Sequence, residues 1–261
     1  MEVQQGKPDV VVVGGGPIGL ASAWRAAQRG LRVLVLDAGA PGAWSVAAGM
    51  LAPVAEADFG EDALLDLNLR AAAGFPAFCA ELAEASGEDP GLRRSGTLGG
   101  LPAGARIPLR PVKGQILRLR DAQGPGLLER IVRFEGGYLV PRGDGRYVLG
   151  ATMEERGFDT TVTAGALYEL LRDAGEVVPG VHELVVEEAA AGLRPATPDN
   201  APVLGAAEEV DGLVWATGHH RNGILLAPVT ADVVADVLDG TAPPPAFAPD
   251  RFARTREGAA A

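Results

Sequence analysis

The sequence predicts an α/β protein, because two stretches far apart in the chain each combine a short apolar strand with a helix. Residues 9–39 contain a β-branched run, a glycine turn, an Ala-rich amphipathic stretch and a second apolar run, which is the pattern of a βαβ unit. Residues 212–240 begin with the strand-like run LVWATG and continue through HHRN into a long apolar stretch that ends at Gly240. With 261 residues the chain can bury a core as one large domain or as two small interleaved domains.

The turn between the first strand and its helix has the spacing G-x-G-x-x-G. Gly14 permits the tight turn, Gly16 lets a pyrophosphate approach the backbone, and Gly19 lets the helix pack against the strand. The helix begins at Pro17 and Ile18, where free N–H groups and a partial positive charge attract phosphate. These five residues are therefore predicted to bind the phosphates of a dinucleotide.

Asp37 ends the second strand of the unit, where a carboxylate accepts a hydrogen bond from a ribose 2′-OH and repels a 2′-phosphate. Glycine turns also join strands to helices for purely steric reasons. Here the strand, the glycines, the helix, the second strand and the acid all fall in register, so dinucleotide binding is favoured over the steric explanation. The motif does not distinguish NAD from FAD.

The C-terminal unit places a second helix start beside the end of a strand. Gly218 follows the predicted strand, and the helix is predicted to run from near Gly223 to Leu238. Asn222 and Ile224 lie on either side of its first residue. A helix N-terminus aimed at a bound ring stabilises negative charge that develops there.

Composition and charge limit the class of partner. Hydrophobic residues make up 47% and charged residues 22%, which is typical of a folded globular protein. The formal charge of −11 and the pI of about 4.8 disfavour binding to nucleic acid or to an anionic membrane, since both surfaces are negatively charged. A small-molecule partner is therefore expected.

The chain gives no sign of export or of a metal site. Its first residues are polar, and the apolar run Val10–Val13 is too short for a signal sequence or a membrane span, so a cytoplasmic protein is expected. A single cysteine, Cys79, excludes an internal disulfide and is predicted to pack in a helix core. The three histidines, at 182, 219 and 220, have no metal-ligand spacing.

Three other stretches have simple structural interpretations. Residues 61–87 carry apolar side chains at helical spacing and are predicted to form one or two helices. Residues 166–181 predict another helix, ended by Gly175 and Pro179. The tail from residue 243 to 261 is Pro-rich and then polar, and is predicted to fray.

Seven motifs spread over nearly the whole chain together resemble one family. They are VVVVGGGPIGLASAW, AAGMLAP (47–53), PVKGQ (111–115), YLVPR, LGATMEE (149–155), GLRPATPD and ATGHHRNGILLAPVTA. The combination resembles the FAD-dependent D-amino acid oxidase superfamily, and within it the glycine oxidases of thiamine biosynthesis. The resemblance implies FAD as the cofactor. It also implies a discontinuous Rossmann-type FAD-binding domain at residues 1–94 and 192–261, with a smaller, shortened α+β substrate-binding domain at residues 95–191.

The resemblance assigns substrate contacts to three residues. It implies that Arg194 of GLRP grips the substrate carboxylate in a bidentate pair, which suits a planar and permanently charged guanidinium; a structural arginine is the alternative. Tyr138 of YLVPR is implied to donate its hydroxyl to the same carboxylate, with a core aromatic as the alternative. Arg221 of HHRNG resembles a second arginine at the mouth of the site, and bracing its own loop is an equal alternative.

The resemblance also implies contacts with the flavin. Met50 and Met153 are implied to line the pocket or the flavin face, with core packing as the only role of at least one of them. His219 and His220 are interpreted as loop residues whose backbone borders the ring, and proton transfer is the less favoured interpretation. The implied cofactor contacts in these two loops are Ala48, Gly49, Met50, Gly218, Arg221, Asn222, Gly223 and Ile224.

The implied reaction is hydride transfer from the substrate α-carbon to flavin N5. The resulting imine hydrolyses to a 2-oxo acid and ammonia, and O₂ reoxidises the flavin to give hydrogen peroxide. Most of this chemistry belongs to the cofactor, and the protein supplies position and electrostatic field. The sequence accordingly contains no obvious acid–base pair.

The chain departs from the family between Leu98 and Pro111. In the family a segment the size of a small domain separates SGTL from PVKGQ, whereas here only Gly99 to Arg110 intervene. Because the missing segment carries strands of both domains, we expect exposed apolar surface, an open sheet edge, or association with another copy of the chain.

Three functions remain open at this point. The first is an oxidase of glycine or of a small amine-bearing acid. The second is a non-catalytic remnant that binds a nucleotide or scaffolds a complex, which is also favoured by Gly136, where the family has a polar residue. The third is an FAD-dependent amino acid dehydrogenase that uses an acceptor other than oxygen.

Overall fold

The computed structural model describes residues 7–39, 42–51, 53, 61–92, 97–98, 110–207 and 212–252. Ten strands and four α-helices follow one another along these residues. Their bounds are β1 Val10–Val13, α1 Pro17–Gln28, β2 Val33–Leu36, α2 Asp62–Ser86, β3 Thr97–Leu98, β4 Arg110–Arg120, β5 Ile131–Phe134, β6 Gly137–Pro141, β7 Arg146–Gly150, α3 Ala164–Val177, β8 Val185–Ala196, β9 Val203–Ala206, β10 Val214–Thr217 and α4 Gly223–Leu238. Short 3-10 helices cover Ala43–Val46, Pro179–Glu183 and Pro249–Phe252.

Six strands form the main sheet, in the order β3-β5-β6-β7-β4-β8. Neighbouring strands are antiparallel except β3 and β5, which are parallel. β4 pairs along its whole length with β8, from Arg110 opposite Ala196 to Arg120 opposite Val185. α3 packs on this sheet, and the core between them contains Leu117, Leu119, Leu139, Leu149 and Leu170. The predicted domain boundary at residue 192 lies within β8.

The predicted βαβ unit is present, but one face of its sheet is exposed. β1 and β2 are parallel, with Val11 opposite Leu34 and Val13 opposite Leu36. Paired residues point to the same face, and these four side chains are all exposed, Val13 at 84%. A parallel sheet is normally covered on both faces. The expectation of exposed apolar surface is therefore confirmed.

A second core lies under the C-terminal helix. α4 packs against α1 and α2, and Leu225 and Leu226 of α4 meet Leu64 and Leu67 of α2. The same core contains Phe247, whose side chain is buried and whose carbonyl oxygen accepts a 2.8 Å hydrogen bond from the backbone N–H of Leu204. The prediction that the tail frays is wrong from residue 243 to 252, because burying this aromatic side chain anchors the chain. Residues 253–261 lie outside the described part.

Two predicted helices differ in how closely they match. Residues 61–87 form one helix, α2, in which Cys79 is buried as predicted. α3 ends at Val177, before Pro179 as the sequence predicts, but Gly175, the other residue predicted to end it, lies within the helix. A Cβ at Gly175 would lie 2.6 Å from Cε1 of His182, so this glycine admits the ring that follows the helix and does not end it. Residues 99–109, where the chain departs from the family, lie outside the described part, and β3 and β4 flank them.

Candidate active site

A cavity of about 450 Å³ lies where the βαβ unit, the main sheet and the start of α4 meet. It brings together most of the residues that the sequence marks. Predicted residues that line it are Gly16, Pro17, Ile18, Ala48, Gly49, Met50, Tyr138, Met153, Arg194, Gly218, His219, His220, Arg221, Gly223 and Ile224. Gly14, Gly19, Asp37 and Asn222 do not line it. The cavity is therefore lined by the glycine turn near the N-terminus, by the loop before α4 and by residues of β4 and β8 in the main sheet.

The glycine turn fits a phosphate-binding role. Gly14 has a φ of +112°, and a Cβ at Gly19 would collide with the carbonyl oxygen of Gly14, so neither position accepts a side chain without strain. Gly16 is the N-cap of α1, and no side chain accepts a hydrogen bond from the first turn of that helix. Those N–H groups are available to an anion at the positive end of the helix dipole.

Asp37 lies at the open end of the same turn. Its Oδ1 accepts a 2.8 Å hydrogen bond from the N–H of Gly15, and its Oδ2 accepts a 3.0 Å bond from the N–H of Gly39. These backbone hydrogen bonds, the one from Gly15 first, hold the pKa of Asp37 below its usual value. The carboxylate is therefore ionised at neutral pH and stands exposed, with lone pairs left for a ribose hydroxyl.

The side chain of Arg194, on β8, lies over a glycine of the neighbouring strand β4. A Cβ at Gly114 of β4 would lie 2.5 Å from Cζ of Arg194, so only a glycine leaves room for the guanidinium. Nη1 of Arg194 donates a 3.0 Å hydrogen bond to the carbonyl oxygen of Thr152. The guanidinium is thereby fixed against the backbone in the wall of the cavity.

The segment that receives Arg194 is a bulge after β7. Ile116 of β4 pairs with Gly150, and Lys113 pairs with Glu154, so three residues on one strand oppose two on the other. The bulge consists of Ala151, Thr152 and Met153, of which Ala151 and Met153 line the cavity.

A buried polar network holds this bulge. Lys113 has a side chain that is 1% exposed, and its Nζ lies 2.7 Å from Oδ2 of Asp159. Nε2 of Gln115 donates a 2.7 Å hydrogen bond to Glu154, and the N–H of Gln115 donates a 2.9 Å bond to Oγ1 of Thr152. The hydroxyl of Thr152 in turn donates a 2.6 Å bond to Glu154. The network therefore fixes the residue whose carbonyl orients Arg194.

Tyr138 and Arg221 approach the same cavity from opposite sides. Tyr138 lies on β6 opposite Gly150, where a Cβ would be 3.0 Å from the tyrosine hydroxyl oxygen. Arg221 lies in the loop before α4, with Nη1 3.9 Å from Sδ of Met153. Met153 is 59% exposed, whereas Met50 packs at the edge of a core cluster. Met50 thus has a packing role and Met153 a surface position at the mouth.

The two adjacent histidines are neutral at pH 7, and His219 is buried whereas His220 is partly buried. Burial lowers the pKa of His219 to about 4, and its Nε2 lies 2.9 Å from Oγ1 of Thr230. Burial, followed by the nearby charges of Arg194, Arg221 and Arg110, lowers the pKa of His220 to about 3. The N–H of His220 donates a 2.9 Å hydrogen bond to the carbonyl oxygen of Pro195, which ties this loop to β8.

Sequence reasoning missed several residues of the site. Trp44 lines the cavity, and a Cβ at Gly16 would lie 3.4 Å from its Cδ1. Its position three residues before the AAGM motif is the only sequence signal for it. Gly114 and Lys113 lie within the PVKGQ motif, which carries the family resemblance but predicts no role for either residue. Thr152 lies within the LGATMEE motif, but the motif predicts no role for it, because its function depends on a main-chain carbonyl in the bulge.

The fold and site define a class. One cavity contains the starts of two helices, the first of them with a glycine turn, and an arginine. This combination indicates a dinucleotide-binding α/β protein whose arginine can bind a carboxylate. Residues 9–101 and 97–237 match the family described as FAD dependent oxidoreductase, and the chain belongs to that family. The recognised family, the fold class and FAD as the family's cofactor are thereby confirmed.

Glycine oxidases and ThiO/ThiG proteins are among the named relatives. The chain is 38% identical over 151 residues to a glycine oxidase of Pseudomonas aeruginosa, covering 57% of this chain and 41% of that protein. It is 41% identical over 155 residues to the bifunctional protein ThiO/ThiG of Synechocystis, covering 57% of this chain and 24% of that protein. The chain spans about two fifths of the length of the glycine oxidases it matches.

Solved structures extend the likeness over more of the chain. The crystal structure of glycine oxidase from Geobacillus kaustophilus superposes with a TM-score of 0.82 at 26% identity, covering 94% of this chain and 98% of that chain. Iminodiacetate oxidase from Chelativorans superposes with a TM-score of 0.80 at 22% identity, which shows the shared fold alone. In the described residues no helix is long and apolar enough to cross a membrane.

Proposed function

We propose that this protein catalyses FAD-dependent oxidation of the amine of glycine or of a small amine-bearing acid. The observation that carries the proposal is the placement of Arg194 and Tyr138 in one cavity with the N-terminal residues of both α1 and α4. Glycine oxidases among the relatives support the substrate class, and the ThiO/ThiG relative supports a place in thiamine biosynthesis. A cytoplasmic location and the division into an FAD-binding domain at 1–94 and 192–261 and a substrate domain at 95–191 are parts of the same proposal.

The chain's own residues bind and orient the substrate. Arg194, fixed by the Thr152 carbonyl, pairs with the substrate carboxylate, and the Tyr138 hydroxyl donates a hydrogen bond to it. Arg221 at the mouth of the cavity attracts the same anion. When bound, FAD would accept a hydride from the substrate α-carbon and pass the electrons to O₂, with an imine and hydrogen peroxide as products.

The remaining residues exclude competing chemistry. His219 and His220 are neutral at pH 7, so they add no positive charge that would compete for the carboxylate. The substrate amine loses its proton to solvent, because the cavity wall contains no carboxylate side chain among the described residues. Ile116 and Met50 give part of the cavity wall an apolar surface.

The test begins with the visible spectrum of the purified protein, before and after incubation with FAD. Flavin bands followed by glycine-dependent release of peroxide and ammonia are expected. Arg194→Ala is expected to raise the KM for glycine about a hundredfold with flavin content unchanged, which corresponds to one lost charge-assisted pair. The matched control is Arg146→Ala, since Arg146 is exposed, does not line the cavity and pairs with Asp144 two residues away. No flavin bands under either condition would sink the proposal.

A second candidate is favoured by the exposed face of β1 and β2, which is the condition of an incomplete nucleotide-binding domain. In that case the chain is a non-catalytic remnant. Flavin binding without any glycine-dependent flavin reduction would favour the remnant. Reduction with a dye acceptor but without oxygen consumption would instead indicate a dehydrogenase.

A further inference from the structure

We infer that the affinity of this chain for FMN lies within about thirtyfold of its affinity for FAD. The inference rests on the proposed flavin binding and concerns which half of the cofactor the chain holds. The described residues enclose a site for an isoalloxazine ring and one phosphate. The place where an adenosine would continue from that phosphate is exposed.

The enclosed half is the part of the site that lies in the cavity, which is lined from both helix starts. The cavity extends from Gly223 at the start of α4 to Gly16, Pro17 and Ile18 at the start of α1. Trp44 stands against the glycine turn at this end. A phosphate at the start of α1 is common to FMN and FAD. In FMN it is a terminal group with a second ionisation near neutral pH, so its attraction to the helix dipole is at least as strong as that of the bridging diphosphate of FAD.

The open half of the site, where the adenosine of FAD would lie, has fewer residues that could bind a ligand. Gly14 and Asp37 do not line the cavity, and residues 36–39 are all exposed. Val13, the last residue of β1, is 84% exposed on the face that lacks a second layer. Among the described residues, Asp37 is the one side chain whose chemistry suits a ribose. Its two oxygens already accept hydrogen bonds from the backbone of Gly15 and Gly39.

The expected contribution of that contact is small. One exposed charge-assisted hydrogen bond changes a binding constant by about tenfold or less, since water competes for both partners. Stacking of adenine on an exposed surface adds at most another factor of about three on the same reasoning. We therefore expect the dissociation constants of FAD and FMN to differ by no more than about thirtyfold.

The experiment is a fluorescence titration of flavin-free protein with FAD, FMN and riboflavin. A ratio of FMN to FAD dissociation constants below about thirty supports the inference, and a larger ratio overturns it. Riboflavin is expected to bind at least about tenfold more weakly than FMN because it lacks the phosphate. Equal binding of riboflavin and FMN would also overturn the inference. If none of the three binds, the proposed function itself fails, which is a distinct outcome.

Two variants locate the effect. Asp37→Asn is expected to weaken FAD by less than about tenfold and to leave FMN unchanged, since only FAD carries the second ribose. Asp9→Asn is the matched control, because Asp9 is another carboxylate of the β1–β2 unit and pairs with Arg32 at the opposite end of the strands. Loss of FMN binding in the Asp37 variant alone would show that Asp37 holds the enclosed half, against the inference.

Discussion

The two sheets that meet at the cavity are built from the same residue types and buried to very different degrees. Leu149 of β7 in the six-stranded sheet is 0% exposed, whereas Leu36 of β2 is 49% exposed. Both lie in runs of valine and leucine that predict buried strands. An apolar run therefore indicates that a strand needs to be covered on both faces. It does not indicate whether the rest of the chain covers it.

The proposed substrate-binding residues and the proposed nucleotide-binding residues lie on different sheets. Arg194, Gly114 and Tyr138 belong to the buried sheet, where β4 is paired on both sides. Gly14 and Asp37 belong to the exposed unit, where β1 has one described neighbour. Positions on the buried sheet are therefore expected to be sensitive to substitution, and positions on the exposed face to be tolerant.

The largest expected effect compares the same substitution in both sheets. Leu149→Ala is expected to lower the free energy of unfolding by about 2–5 kcal/mol, because it leaves a cavity in a closed core. Leu36→Ala is expected to cost less than about 1 kcal/mol, since its side chain is half exposed. Urea denaturation measures both. Equal losses of the free energy of unfolding in the two variants would contradict this prediction. They would indicate that another molecule covers β1 and β2 in solution.

Gly114→Ala tests the crossing point of Arg194. The new methyl group would occupy the place of the guanidinium, so the KM for glycine is expected to rise about a hundredfold with flavin content retained. Gly74→Ala is the control, because Gly74 lies on the exposed side of α2 and an added methyl group there meets open space. That change is expected to add about 1 kcal/mol of stability through helix propensity. An unchanged KM in Gly114→Ala would show that Arg194 does not bind the substrate.

The buried histidines predict a pH window for stability. The pKa of His219 is lowered from 6.5 to about 4, so below pH 6.5 the unfolded chain binds a proton that the folded chain refuses. Stability should therefore fall as pH falls from about 6.5 to about 4, by about 2–3 kcal/mol. Carboxylates with lowered pKa values, such as Asp144, change stability only below their ordinary value of 3.8.

The window is measured by urea denaturation at intervals between neutral and mildly acidic pH. The pKa of His220 is lowered as well, so His219→Gln is expected to make the curve shallower and the double variant His219→Gln, His220→Gln to flatten it, since glutamine does not titrate. His182→Gln is the control, because His182 is exposed. A curve that stays equally steep in the double variant would assign the dependence to other groups.

The smallest expected effect concerns Lys113 as a residue that positions the site. Lys113→Met keeps the buried stem but removes the bond to Asp159, and is expected to cost about 1–3 kcal/mol of stability. Because the bulge then holds Arg194 less firmly, the KM for glycine should rise about tenfold while kcat changes little. Lys7→Met is the matched control at an exposed position. Lost stability with an unchanged KM would make Lys113 purely structural.

Sequence reasoning succeeded where a structure depends on nearby residues. The glycine turn, α1, and the start of α4 at Gly223 were predictable because capping, turn and periodicity signals are local. It failed where a distant partner decides the outcome. The tail is anchored by Phe247 in a core made by α2 and α4, and Thr152 acquires its role from the pairing of β4 with the chain after β7.

The central claim is that one cavity of this short chain holds both a flavin and a substrate carboxylate. It is tested most directly by mixing flavin-loaded protein with glycine in the absence of oxygen and following the visible flavin absorbance. We predict that glycine bleaches the flavin, that Arg194→Ala needs about a hundredfold more glycine for the same bleaching, and that admitting oxygen restores the colour. A flavin spectrum that stays unchanged at saturating glycine and other small amine-bearing acids would contradict the claim.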